Sequence, residues 1–175
     1  MAWLGLVVSA PLVGAVLQRR EPEELELLFD AFALLRAAEP QARLLVAGID
    51  LVKTELPSGV TAIGVYADSP AFYAAINVLC VPLATRTVPL TLLEGLAAGV
   101  PIVASLRPTN EGLPPAGPWA FADVTRPGAR ALAGGIVELL RERDEATTLA
   151  RAGRACVASD HSIETNVRRI QALYD

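Results

Sequence analysis

Residues 78–105, VLCVPLATRTVPLTLLEGLAAGVPIVAS, decide the fold class. They open on an apolar run, 78–83, whose length and composition fit a buried strand. A polar loop follows. Residues 87–98 then read as a helix that begins near Val88, with Thr87 as N-cap and Pro89 in the first turn, where a missing N–H costs nothing. Gly99 is placed to cap its carboxyl end. Residues 101–106 are short and apolar again, a second strand. Neither strand alternates polar with apolar, so both faces of each must be covered, which is the condition of a parallel sheet.

The same alternation extends in both directions. Upstream, residues 12–17 and 43–48 read as strands, the second ended by Gly48, and 60–64 as a third after the turn-like Pro57-Ser58-Gly59. Between the first two, residues 23–38 carry Leu25, Leu28, Phe29, Phe32 and Leu35 at helical spacing, with Pro22 near the first turn and Pro40 closing the helix. Ser69-Pro70 opens a short helix through Ala75. Downstream, 119–124 offers a further strand, and helices are expected near 128–142, 144–158 and 162–173. The reading is α/β: one doubly wound parallel sheet over 12–175 with a helical C-terminal tail. Residues 1–11, MAWLGLVVSAP, form an apolar lead-in, expected as an edge strand or a disordered stretch. They lack the basic region and cleavage site of a signal peptide and are far shorter than a membrane span.

Composition narrows the function. Of 175 residues, 53% are hydrophobic and 19% charged, which excludes a disordered chain and supplies a real core. Lys+Arg 15 against Asp+Glu 19 gives 15 − 19 = −4, with no basic block, a poor footprint for nucleic acid. Cys80 and Cys156 sit among apolar neighbours and read as buried thiols of a reducing compartment, without zinc spacing. The single histidine, His161, excludes any site that needs two, and its place after Asp160 at the start of the last helix suggests a capping or surface role. No G-x-G-x-x-G follows Val16 and no G-K-[ST] is present, so dinucleotide and P-loop readings are weak.

In such sheets ligands bind outside the carboxyl ends of the strands, where strand order reverses. The helix beginning near Val88 would bring free N–H groups and a positive dipole end to that edge, a ready anion site. Glu94 lies about 9 Å further along the axis, at roughly 1.5 Å per residue. Helical side chains lean toward the N-terminus, so its carboxylate can face a ligand docked there, and an acceptor-only group suits a diol such as ribose. Spacing alone leaves equally open that Glu94 is an ordinary solvated helix residue. After the first strand, Gln18-Arg19-Arg20-Glu21-Pro22 puts two guanidinium groups on the same rim, suited to phosphate. On charge alone, a solvated turn pairing with Glu23 or Glu24 is the stronger reading of that loop.

The segment Thr91-Leu-Leu-Glu-Gly-Leu-Ala-Ala-Gly-Val-Pro-Ile-Val-Ala-Ser105 resembles the L-L-E-A-M-A-x-G-x-P-V-V-A-S stretch in the C-terminal, donor-binding domain of GT-B glycosyltransferases of the group 1, family 4-like class. Other pieces agree in order. Val13-Gly14, Arg20 and Asp30 to Leu35 resemble the V-G-R…K-G…E-A-F opening, and Arg43 to Gly48 the R-L-x-I-x-G strand. Ala62 to Val65 with Tyr73 to Val78 resemble F-L-G-x-V…Y-A-x-A-D-V, and His161 to Glu164 with Leu173-Tyr174 the closing F-S-W-E…L-Y helix. The resemblance covers about residues 12–174 and implies a single Rossmann-like domain that binds a nucleotide-diphosphate sugar for transfer to an acceptor, without a divalent metal or other cofactor. It gives Arg20 the family's lysine role, Thr91 and Leu92 the backbone amides at the diphosphate, Glu94 the ribose, and Tyr66 a place near the base; Arg19 joins the basic rim.

There are departures. An earlier glutamate is usual eight positions before the second, and that position here is Arg86, which either loses the donor-sugar contact or meets phosphate instead. Ala15 stands where an arginine is common, and residues 49–57 are short where the family often has a longer helix. The resemblance implies that an N-terminal acceptor domain, or a partner chain supplying one, completes the cleft, and that the isolated chain turns over little. The expected location is cytoplasmic or peripheral at the membrane face, with no transmembrane segment. The alternative is a non-catalytic Rossmann-like interaction or scaffold module that has lost the donor site, which Arg86 and Ala15 favour and Glu94 opposes. A nucleotide-sugar epimerase finds no catalytic set here.

Overall fold

The computed structural model describes residues 10–17, 22–48, 51, 55–64, 69–82, 90–105, 120–121 and 128–174. Strands are β1 (Leu12–Val16), β2 (Arg43–Ala47), β3 (Val60–Ala62), β4 (Val78–Val81), β5 (Ile102–Ala104) and β6 (Ala120–Phe121); helices are α1 (Pro22–Ala38), α2 (Ser69–Ala75), α3 (Leu90–Ala98), α4 (Ala129–Arg141), α5 (Arg143–Asp160) and α6 (Ile163–Gln171). The six strands lie in the order β3-β2-β1-β4-β5-β6, and every pairing is parallel. β1 sits at the centre, with Leu12 opposite Arg43 through Val16 opposite Ala47 on one side and Val13 opposite Val78 on the other.

The unbroken apolar runs are explained by two cores, one on each face of the sheet. Along β2, Leu44 and Val46 point into a core with α1 and α4 built around Leu28, Leu35, Leu132 and Ile136. Leu45 and Ala47 point the other way, into a core with Phe72 of α2 and Leu92 and Leu96 of α3. Successive strand residues alternate faces, so a strand covered on both sides has no polar position to spare. α5 links the layers. Its Ala146 belongs to the first core, whereas Gly153 meets Leu96 and Val157 packs on the second core.

The sequence placed these elements correctly and overran several ends, for local reasons. Gly48 and Gly64 turn the chain out of β2 and β3 with φ of +94° and +63°, the left-handed region that glycine alone enters freely. At Gly48 a Cβ would also run into the backbone oxygen of Leu17. Pro82 and Pro101 have no N–H to offer the ladder, so β4 stops at Val81 and β5 starts at Ile102. Residues 1–9 of the lead-in lie outside the described residues; Pro11 accepts from the Arg43 amide at 2.9 Å.

Two side-chain expectations are corrected. Cys80 is buried as expected, but Cys156 is only half-buried, its thiol 3.9 Å from Asp160 Oδ2 on the outer side of α5. His161 has the capping role expected of it, but at the end of α5 and not at the start of the last helix. Ser162 is the N-cap of α6, accepting from the Thr165 amide at 3.1 Å. α6 buries none of its residues and leaves Ile163, Val167 and Ile170 exposed, with Leu173 and Tyr174 beyond it.

Candidate functional site

The chain builds outward from β1 to β3, then returns to lay β4 against β1 and continues to β6. Strand order therefore reverses between β1 and β4, and their carboxyl ends mark the crevice where sheets of this kind receive ligands. α3 is the helix that follows β4.

α3 is fixed on the sheet by its first turns. Leu92 is fully buried and the Thr91 side chain nearly so, and both residues lie in the first described turn of α3. Gly95 lets α3 settle close. A Cβ there would lie 2.5 Å from Leu79 Cδ2 and 3.7 Å from Tyr73 Cε1. Glu94, on the half-buried side of the same turn, stands four residues past Leu90, about 6 Å along the axis.

The carboxylate is held. Tyr73 Oη donates to Glu94 Oε2 at 2.8 Å and lies 3.4 Å from the Thr91 carbonyl oxygen. The tyrosine ring, 3% exposed, comes from α2 and stands edge-on to Phe72, with ring centres 5.2 Å apart at 83°. Glu94 Oε1 has no hydrogen-bond partner among the described residues. The site thus offers helix-end amides and a carboxylate with one oxygen secured and one available, a set that takes an anionic group and a pair of hydroxyls side by side.

Of the residues expected from sequence, the structure brings together Thr91, Leu92 and Glu94. Arg19, Arg20, Tyr66 and Arg86, and the expected cap at Thr87 and Pro89, lie outside the described residues. Tyr73 was missed as a site residue. The signal that could have found it is chemical: a tyrosine on the apolar side of a helix, beside Phe72 and Ile76, must find a partner for its hydroxyl once buried. Ala15, where the family pattern has arginine, is fully buried in the α1/α4 core.

A basin of about 690 Å³ lies at the opposite edge of the sheet, among Pro11, Asn77, Pro101, Arg143, Arg151 and Arg154. These residues precede strands or belong to α5, and Asn77 Oδ1 already accepts from the Leu12 amide at 2.7 Å. Topology favours the β1/β4 crevice, because α3 and the Glu94 carboxylate follow β4 at the reversal of strand order. Among the described residues no three His, Cys, Asp or Glu side chains gather where they would hold a metal ion. No described helix is long and apolar enough to cross a membrane.

Comparison with known proteins agrees with this architecture. Among solved structures, HepE of Anabaena, in complex with UDP-glucose, superposes with a TM-score of 0.75 at 17% identity, over 99% of this chain and 50% of that one. Sucrose-phosphate synthase of Thermosynechococcus elongatus gives 0.77 at 24% identity, over 99% and 47%. The C-terminal domain of a group 1 glycosyl transferase (LpcC) from Francisella tularensis gives 0.67 at 16%, over 88% and 89%. This chain therefore spans about half the length of the first two. Comparison with curated proteins gives no match. The glycosyl transferases group 1 family matches residues 10–142, from the approach to β1 to the end of α4. The chain belongs to the group 1 glycosyltransferases, and its parallel sheet with flanking helices has the fold of their C-terminal domain.

Proposed function

We propose that this chain binds a nucleotide-diphosphate sugar at the β1/β4 crevice and serves as the donor half of a glycosyltransferase. One observation carries the reading: Glu94 lies on α3, the helix that follows β4 at the reversal of strand order, and its Oε1 has no donor among the described residues. In this reading Oε1 accepts from the ribose hydroxyls, and the Thr91 and Leu92 amides meet the diphosphate. Arg19, Arg20 and Arg86 add positive charge, and Tyr66 lies near the base. Fixed positive groups at a departing diphosphate stabilise the charge that develops as the glycosidic bond breaks. No divalent metal or other cofactor enters the proposed chemistry. HepE, with UDP-glucose in its crystal, makes UDP the first nucleotide to try.

The acceptor is proposed to be held by a second, N-terminal domain or partner chain, since a donor half alone has nothing to orient it. The isolated chain then binds nucleotide weakly and transfers little or no sugar. We place it in the cytoplasm or at the membrane face. A second reading, a scaffold module that kept the fold and lost the site, is favoured by Arg86 in place of a glutamate and by Ala15 sealed in the core. Calorimetry with UDP and GDP separates the two. The donor reading expects specific binding that Glu94→Ala weakens about tenfold or more, the loss typical of hydrogen bonds to a charged acceptor. Absence of heat with either nucleotide favours the scaffold.

A further inference from the structure

We propose that Tyr73 is a positioning residue for the ribose-reading carboxylate: its hydroxyl pins Oε2 of Glu94 and so keeps Oε1 presented to an incoming diol. The inference rests on the ribose role given to Glu94 above, and it adds a residue, on a different element, that decides how well that role is performed.

The two partners differ in freedom. Glu94 is half-buried on α3, and a glutamate with three rotatable bonds pays rotamer entropy whenever a ligand fixes it. Tyr73 has two torsions, and its ring is packed at 3% exposure against Phe72 and the face of α3. The 2.8 Å bond to Oε2 is shorter than the 3.4 Å approach to the Thr91 carbonyl. Of these two acceptors the charged one is the stronger. The hydroxyl is thus committed to Glu94, and the rigid ring transmits the position of α2 to the carboxylate. Order supplied before binding reduces what the ligand must supply.

A consequence follows for specificity. With Oε2 satisfied, Oε1 is an acceptor with no donor among the described residues, ready for donors that a ligand brings. A ribose brings two adjacent hydroxyls; a 2′-deoxyribose brings one fewer. Preference for ribonucleotide over deoxyribonucleotide is therefore set jointly by Glu94 and by the residue that aims it.

The test uses the full chain, with UDP and 2′-deoxy-UDP titrated calorimetrically into the wild type, Tyr73→Phe and Glu94→Ala. Alongside runs ligand-free NMR of the three-bond couplings that report the Glu94 side-chain torsions. The wild type is expected to prefer UDP, and Glu94→Ala to lose the preference. Tyr73→Phe, which keeps the ring packing, is expected to compress the preference about threefold to fivefold, the scale of one hydrogen bond, and to average the Glu94 couplings. A Tyr73→Phe protein with wild-type preference and unchanged couplings overturns the inference. If the wild type shows no preference between the two nucleotides, or binds neither, the ribose role of Glu94 fails and the inference falls with it. In that case couplings that still average on removing the hydroxyl show that Tyr73 holds the carboxylate, which separates that failure from an error about Tyr73.

Discussion

Cys80 lies in the middle of β4 with 1% of its surface exposed, and burial pushes its thiol up to about 12, with the negative charge of Glu24 adding to the shift. The unfolded thiol ionises near 9.0, so above that pH the unfolded chain releases a proton that the folded chain retains. Its contribution to stability is whole below pH 9 and declines as the pH rises toward 12, by up to about 1.4 kcal/mol per unit. Urea titrations from pH 8.5 to 11 are expected to show a shallower decline for Cys80→Ala than for the wild type; equal slopes would refute the assignment. Cys156 shows why residue-scale reading of the sequence errs. Its neighbours Ala155 and Val157 are apolar, yet adjacent residues on a helix point about 100° apart, and the thiol faces Asp160 instead of the core. Burial, then the Asp160 charge and its hydrogen bond, raise its pKa as well. The place of Glu94 on α3, by contrast, was legible because the helical pattern around it is local. Tyr73 was not, because its partner is 21 residues away in sequence and only the packing of α2 on α3 brings the two together.

At the scale of elements, the seat of α2 controls the site. Gly14 in β1 lies beneath it, and a Cβ there would stand 2.5 Å from Ile76 Cδ1 and 2.9 Å from Phe72 Cζ. Gly14→Ala must shift the side chains that anchor α2, at a cost of about 1–3 kcal/mol for overpacking. It is expected to lower the urea midpoint and, by displacing Tyr73, to weaken nucleotide binding as well; stability and binding both unchanged would contradict the close approach. Strand and helix identities were readable from apolar runs and helical spacing because those patterns are local. Their ends were less readable. They depend on backbone events such as the positive φ of Gly48 and Gly64, and on ladder positions where proline has no N–H.

For the whole molecule, a doubly wound sheet was legible from alternation alone, since strands apolar on both faces require helices on both. The order β3-β2-β1-β4-β5-β6 was not, because it is fixed by where the chain re-enters the sheet at β4, which no single segment records. Nor was the path of α5 from one layer to the other. That order matters most for function, since it turns a list of polar residues into a site by selecting one edge of the sheet. The direct measurement is amide chemical-shift mapping of the full chain on titration with UDP and GDP. The account expects the largest changes at Thr91, Leu92 and Glu94, and at Leu17 just past the end of β1. Shifts confined to Asn77, Arg143, Arg151 and Arg154 at the opposite edge, with α3 unmoved at saturation, would contradict it.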